Sequence, residues 1–223
     1  MNGKTILRTA AVLASCLVLG ACGNDPYRGN SFEVLYDSLF KGDAAPQPVT
    51  AAQIAQVMAA TDLPMAFVNI EERKAQTVLI RIETNGPYGT YATADRKNMV
   101  MRNGMITSTR GLGDDLMSTD VDAVLSLVRK RTTGNAVYIQ RFLRSDDATR
   151  VLTYRCGVEP DKSVDVAMGL VRGRATEVIV ACESEDGPPF VDYYVVDGSG
   201  EILASRQWLG VTTGYVAMHR LRL

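Results

Sequence analysis

Four aspartates stand close together in the middle of the chain. Asp114 and Asp115 are adjacent, and Asp120 and Asp122 follow them. Two carboxyl groups held roughly 5 to 9.5 Å apart across a cleft could hydrolyse a glycosidic bond, and such a group could also bind a cation. Acidic residues at the beginning of a helix are equally favoured by the helix dipole and by capping. We expect the helix role, because neighbours in sequence do not by themselves form a cleft.

The single histidine limits the remaining catalytic chemistry. His219 lies in the last strand-like stretch, where a Ser-His-Asp triad would need it as the base and a zinc site would need further His or Cys ligands. Gly111 and Gly113 match neither the Gly-x-Gly-x-x-Gly nor the Gly-Lys-Ser/Thr pattern of nucleotide-binding loops, and the EF-hand pattern does not occur. We therefore expect no catalytic residue, no bound metal, no cofactor and no enzymatic activity.

The composition excludes several classes of protein. The chain has 223 residues, of which 46% are hydrophobic and 22% charged, and its formal net charge is −1. These values are unlike those of a disordered tail, a collagen, a small disulfide scaffold or a basic nucleic-acid-binding domain. A chain of this length buries enough surface to fold without a metal or a cofactor.

The first 21 residues have the three-part layout of a bacterial secretory signal. Lys4 and Arg8 form a basic start, residues 10–19 are an apolar run, and the small pair Gly20-Ala21 follows. The apolar run is too short to cross about 30 Å of hydrocarbon as a helix. We expect this segment to be removed after export.

The residues around the predicted cleavage site resemble the lipobox of bacterial lipoproteins. Leu19-Gly20-Ala21 precedes Cys22, and in that family the cysteine is acylated and becomes the first mature residue. Leu13-Ala14-Ser15 before Cys16 has the same form but leaves a very short apolar core, so we expect Cys22 to be lipidated. A soluble periplasmic protein with an ordinary cleavage site is the alternative. Gly23 in place of Asp after the cysteine favours the outer membrane, by resemblance to enterobacterial sorting.

These features predict three parts. Residues 1–21 are a signal peptide, residues 22–30 a flexible tether and residues 31–223 a single β-rich domain. Removal of the signal takes two basic residues from the chain, so no polybasic patch accounts for membrane attachment. The acyl chains on Cys22 would attach the domain to the outer membrane, where it would face the periplasm.

The two remaining cysteines form an even pair in an oxidising compartment. Cys156 and Cys182 end the strand-like stretches 151–156 and 177–182, so a disulfide between paired or facing strands is expected. Two buried free thiols are the alternative. A redox-active dithiol is disfavoured, because the Cys-x-x-Cys spacing does not occur.

Periodicity predicts a mainly β chain with a few helices. Apolar residues recur at helical spacing in 31–41, 51–60 and 118–131, which gives two short N-terminal helices and one mid-chain helix. Ten or more short strands occupy the rest, with hairpins at Asn103-Gly104 and at residues 197–200. We expect an antiparallel, closed or half-closed sheet.

Aromatic residues concentrate near the end of the chain. They are Tyr193, Tyr194, Trp208 and Tyr215. Such rings stack on sugars as well as on one another, so they could contact a glycan or pack in a core. Core packing or a barrel seam is the more common role, and glycan contact is the alternative that the sequence leaves open.

Three stretches together resemble the group 4 capsule polysaccharide lipoprotein family, also called the YjbF/GfcB family. They are residues 102–116, residues 154–157, and residues 205–210 followed by 214–216. With the lipobox, the resemblance spans nearly the whole chain. It implies a pseudo-barrel of bifurcated β-sheets with appended helices.

The resemblance also implies a function. Members are lipid-anchored envelope proteins associated with capsule or exopolysaccharide production and export, and only Cys22 transfers as a functional residue. We expect partners among polysaccharide export or assembly proteins or the polysaccharide itself, with Arg110, Trp208 and Tyr215 as candidate contact residues and no nucleic acid involved. A glycan-binding module is the alternative, followed by a glycan-processing hydrolase.

Overall fold

A computed structural model describes residues 48–143 and 148–223. This part of the chain contains two α-helices, a 3-10 turn at Glu71–Arg73 and twelve strands. Helix α1 spans Ala51–Ala60 and helix α2 spans Asp122–Lys130. The strands are β1 (Met65–Ile70), β2 (Ala75–Asn85), β3 (Tyr88–Ala92), β4 (Asn98–Arg102), β5 (Met105–Arg110), β6 (Leu116–Asp120), β7 (Gly134–Leu143), β8 (Thr149–Met168), β9 (Val171–Glu183), β10 (Phe190–Val196), β11 (Ile202–Trp208) and β12 (Tyr215–Arg222).

All twelve strands form one antiparallel sheet. Its order is β5-β4-β3-β2-β1-β12-β11-β10-β9-β8-β7-β6, so the first and last strands of the chain pair in the middle. The two edge strands, β5 and β6, are consecutive in sequence and meet through threonine side chains. Thr119 Oγ1 donates to Thr107 O at 3.3 Å, and Leu116 N donates to Thr109 Oγ1 at 3.0 Å. The sheet is therefore nearly closed, which confirms the prediction of a mainly antiparallel, barrel-like fold.

The main core fills the inside of this barrel. Inward residues alternate with exposed ones along the first half of β8, where Leu152, Tyr154, Cys156 and Val158 are buried. Helix α2 closes one end, because its buried stripe of Val124, Leu125 and Val128 joins the same cluster.

A second apolar layer covers part of the outer face. Helix α1 packs there, with Val57 buried against Val78, Ile80 and Leu221. Thr50 begins the helix through a capping box, in which Gln53 N donates to Thr50 Oγ1 at 3.2 Å and Thr50 N donates to Gln53 Oε1 at 2.8 Å. This confirms the predicted helix at 51–60. The predicted helix at 31–41, like Cys22 and the whole of residues 1–47, lies outside the described residues.

The outer half of the β8–β9 hairpin also folds against the barrel. Past a register shift between Pro160 and Ser163, Val171 and Ala175 pack on Leu203 of β11. Leu170 N donates to Leu221 O at 2.8 Å, which ties the tip of the hairpin to β12.

The mid-chain helix is shorter than predicted. The periodicity predicts it from Ser118, but α2 begins at Asp122, and residues 118–120 belong to strand β6. β6 pairs with β7, where Thr119 lies opposite Gln140. The expected start was wrong because this pairing partner is distant in sequence and leaves no local pattern in residues 118–120.

Both predicted hairpins occur. Asn103 and Gly104 have φ of +49° and +87°, as a two-residue type I′ turn requires. A Cβ on Gly104 would lie 2.3 Å from Ile202 O, so the turn also packs too closely against β11 for a larger residue. The turn after β10 is held by Asp197, whose backbone N–H donates to Glu201 O at 3.0 Å.

The expected disulfide is present. Cys156 and Cys182 lie directly opposite each other on β8 and β9, with Cα atoms 4.1 Å apart, and both are buried. Closing a loop of this length contributes roughly 3 to 4 kcal/mol to stability in the chain-entropy model.

Candidate functional site

Parts of two of the stretches that carry the family resemblance, residues 111–115 and residues 209–210 with Gly214, lie together at one end of the barrel. We call this the motif end and define it by the 3-10 turn (71–73), the β5–β6 loop (111–115) and the β11–β12 loop (209–214). Arg73 donates to Leu112 O and, at 3.4 Å, to Thr212 O. One guanidinium therefore joins all three segments.

Asp115 organises the β5–β6 loop. Its carboxylate accepts hydrogen bonds from Gly111 N at 2.7 Å, Leu112 N at 2.9 Å and Thr109 Oγ1 at 3.1 Å. Thr109 in turn accepts from Leu116 N at the seam between β5 and β6. The Asp115 side chain thus fixes the loop and the closure of the sheet together.

The neighbouring carboxylates have separate partners. Asp114, with φ of +47°, accepts from Thr212 Oγ1 and links the two long loops. Asp120 forms a bidentate pair with Arg141, both N–O distances being 2.9 Å, and Asp122 lies in the first turn of α2. The expected placement at the beginning of a helix was right for Asp122, which lies in the first turn of α2 without capping it, and wrong for Asp114 and Asp115, which stabilise a loop instead.

Close packing shapes the β11–β12 loop. Gly210 and Gly214 have φ of +95° and +69°, a region that favours glycine. A Cβ on Gly214 would come within 2.2 Å of Glu72 Cγ, so this loop fits tightly against the 3-10 turn. Val211 at the tip is 70% exposed.

The three predicted contact residues differ in accessibility. Arg110 is exposed, and its Nη1 donates to Thr109 O at 2.6 Å. Tyr215 is half-buried: the Arg206 guanidinium lies 3.5 Å from the centre of its ring, and its hydroxyl accepts from Val191 N at 3.1 Å. Arg206 is itself held by Glu71, whose hydrogen bond raises the pKa of that guanidinium.

Trp208 is a core residue. It is 7% exposed and stacks on Phe190 at 5.1 Å between ring centres, with Phe142 and Tyr154 edge-on at 6.2 Å. Its burial leaves the ring little surface to offer a glycan. Of the two roles that the sequence left open, the structure places Trp208 in core packing.

A buried polar network lies among the inward-facing side chains of the barrel. Asp192, 1% exposed, accepts from Trp208 N at 2.8 Å and from Tyr194 OH at 3.1 Å. Gln207 Oε1 accepts from Ile106 N at 3.0 Å, which connects β11 to β5. Burial raises the pKa of Asp192 to about 7. Sequence reasoning missed this network, although its polar residues stand at inward positions of otherwise apolar strands.

His219 lies on β12, outside the motif end. Burial lowers its pKa, and its ring centre is 6.4 Å from that of Phe67. Within the described ranges, no group of three His, Cys, Asp or Glu could hold a metal ion, and no helix is long and apolar enough to cross a membrane.

The described residues form a barrel-like β domain with a nearly closed antiparallel sheet. Helix α2 covers one end of the barrel, and hydrogen bonds between side chains and loops hold the motif end, where Gly210 and Gly214 shape the β11–β12 loop. The model of the family described as group 4 capsule polysaccharide lipoprotein gfcB, YjbF matches residues 33–221, and the chain belongs to this family.

A solved structure supports the same fold. The chain is similar to the crystal structure of the hypothetical lipoprotein YmcC from Escherichia coli (K12), with a TM-score of 0.65 and 13% identity, covering 79% of this chain and 98% of that one. At this identity the likeness shows the fold alone. The comparison with curated proteins gave no match.

Proposed function

We propose that this protein is a lipid-anchored component of the cell envelope that assists the assembly or export of a capsule or exopolysaccharide without catalysing a reaction. The family match over residues 33–221 is the observation that carries this proposal. The lipid would be attached at Cys22, and the domain would face the periplasm from the outer membrane.

The pairing of polar groups at the motif end supports a non-catalytic role. A general acid or base needs a carboxyl group within reach of a substrate proton. Both oxygens of Asp115 accept hydrogen bonds from its own loop, and Asp114 accepts from Thr212. These carboxylates therefore hold the backbone of the loops.

The same arrangement suits the motif end for binding a partner protein. Its loops are held together across three elements by Arg73 and Thr212, while Val211 and Arg110 stay exposed. A surface that is fixed before binding loses little conformational entropy when a partner binds. We propose that a polysaccharide export or assembly protein binds here.

Cys22→Ala in the native host tests the anchoring step. We expect the variant to leave the membrane fraction and surface polysaccharide to fall, because the acyl chains provide the attachment. Cys16→Ala is the matched control and should change neither quantity. Normal surface polysaccharide from cells with fully released Cys22→Ala protein would contradict the proposal.

A second experiment separates partner binding from anchoring. Val211→Asp with Arg110→Glu should lower surface polysaccharide while the protein stays membrane-bound, since both side chains are exposed at the motif end. Val151→Asp with Arg155→Glu, a matched change on the outer face of β8, should have no effect. Equal losses from both pairs would contradict a specific surface. Shortened polymer after incubation with the purified protein would instead indicate a hydrolase.

A further inference from the structure

The end of the barrel opposite the motif end carries a groove. It lies between the tip of the β8–β9 hairpin, the turn after β10 and the last residues of β12, and its volume is about 360 Å³. We call it the groove end and define it by Leu170, Arg172, Arg174, Asp197, Arg222 and Leu223, which line it. Its volume is in the range of pockets that bind small molecules or short segments of a polymer.

Arginines dominate the charge of the groove. Arg172 forms no ion pair with any carboxylate of the described residues. Arg174 is oriented by Ser163, whose Oγ accepts from Arg174 Nε at 2.9 Å, so its two terminal nitrogens stay available. Asp165 stands opposite Arg174 in the strand register without forming an ion pair with it. Two guanidinium groups on one strand therefore form no ion pair with any carboxylate of residues 48–143 and 148–223.

The acidic residue in the lining is engaged elsewhere. Asp197 Oδ1 accepts from Ser199 N at 2.8 Å, Ser199 Oγ at 2.7 Å and Glu201 N at 3.0 Å. These hydrogen bonds lower the pKa of Asp197 and fix the turn. The backbone oxygen of Asp197 accepts from Arg131, which places the basic C-terminal end of α2, residues 129–131, beside the groove.

The groove also exposes apolar surface next to this charge. Leu170 is 62% and Leu223 is 54% exposed, above the buried Val171 and Leu203. A guanidinium binds a carboxylate through two parallel hydrogen bonds, and leucine side chains pack against the C–H faces of a sugar ring. Both kinds of contact are available within one cavity.

We infer that the groove binds a segment of an acidic polysaccharide, with its carboxylate groups on Arg172 and Arg174 and its sugar rings against Leu170 and Leu223. This inference rests on the proposed function and gives the class of glycan. It assigns glycan binding to the groove end and partner binding to the motif end.

Titration of the purified full-length protein with polygalacturonate, followed by calorimetry, tests the inference. Dextran of matched length is the neutral control. We expect binding of polygalacturonate, no binding of dextran, and affinity that falls as salt is added, because charge contacts are screened. Arg172→Ala with Arg174→Ala should weaken binding by at least about tenfold.

A matched variant keeps this test specific. Arg150→Ala with Arg155→Ala removes the same charge from the other half of the hairpin, where both residues are exposed, and should leave the affinity unchanged. Leu170→Lys adds charge but removes apolar contact, and should weaken binding as well.

Four results would overturn the inference. They are no binding of polygalacturonate, equal binding of dextran, equal losses in both arginine pairs, and binding to phosphatidylglycerol vesicles in place of the glycan. None of these results bears on the proposed function, which the Cys22→Ala experiment tests separately, because anchoring does not depend on the groove.

Discussion

The two ends of the barrel use their polar residues in opposite ways. At the motif end, Asp114, Asp115 and Arg73 all bond to backbone or side-chain groups of neighbouring loops. At the groove end, Arg172 has no carboxylate partner among the described residues and Leu170 is mostly exposed. The polar groups named at the motif end therefore hold its loops together, while the groove end keeps two guanidinium groups that pair with no carboxylate of the described residues.

The core beneath the motif end should show the largest effect of substitution. Trp208→Ala removes a ring that stacks on Phe190, and should lower the free energy of unfolding by about 3 to 5 kcal/mol. Val211→Ala, in the exposed loop next to it, should stay within about 0.5 kcal/mol. Urea unfolding followed by circular dichroism measures both. Similar small losses would show that Trp208 is not part of the core.

The buried carboxyl group should make stability depend on pH. Asp192 has an ordinary pKa of 3.8 when unfolded and about 7 in the fold, because burial disfavours its charged form. The folded state therefore holds the proton more tightly, so this contribution to stability is complete below about pH 4 and is lost as pH rises through 7. Arg206 opposes the shift, and Tyr194 donates to the same carboxyl.

Asp192→Asn tests this dependence. The amide cannot ionise and keeps an acceptor for Trp208 N, so the free energy of unfolding of the variant should decline much less than that of the native protein between about pH 4 and pH 7. Urea midpoints at several pH values measure it, with His219→Ala as a control for the single histidine. An unchanged decline in Asp192→Asn would assign the pH dependence to another group.

A smaller loss of stability is expected from substitutions in the β5–β6 loop, which lies where the sheet closes. Asp115→Ala leaves Gly111 N and Leu112 N without their acceptor and should cost about 1 to 3 kcal/mol. Asp114→Ala removes one exposed contact with Thr212 and should cost less. Thermal unfolding compares the two variants, and an equal loss of stability would show that the β5–β6 loop is not held mainly by Asp115.

The groove end should tolerate substitution best. Arg172→Ala and Arg174→Ala should each change the free energy of unfolding by less than about 0.5 kcal/mol, because both side chains are exposed and neither guanidinium forms an ion pair within the described part of the chain. The same urea experiment measures this. A loss as large as that of Asp115→Ala would mean that these arginines serve the fold, and would remove the contrast between the two ends.

Much of the fold follows from local sequence. Thr50 and Gln53 mark the beginning of α1, and Asn103-Gly104 fixes a hairpin, because each signal acts within a few residues. The bridge between Cys156 and Cys182 could be predicted from the even number of cysteines that remain and from the export that the N-terminal segment predicts. The end of the mid-chain helix could be predicted for the same reason, whereas its start could not, since Thr119 pairs with a residue of β7.

The sites depend on contacts between distant segments, which the sequence does not reveal. The groove exists because the β8–β9 hairpin folds back, so that Leu170 meets Leu221 and lies near Leu223. The side of a strand on which an aromatic residue lies is likewise set by register, which is why the sequence favoured core packing for the aromatic residues near the end of the chain without excluding a contact role for Trp208. Asp192 gave no signal beyond being a polar residue in an apolar strand.

The pairing of the first strand with the last has a consequence for synthesis. β1 leaves the ribosome early, but its neighbour β12 ends at Arg222, and at 5 to 20 residues per second the interval between them is on the order of ten seconds. Until then the edge of β1 that faces β12 lacks its partner, and Leu221 is not available to α1. A chain that still lacks β12 therefore keeps an open strand edge in the middle of its sheet.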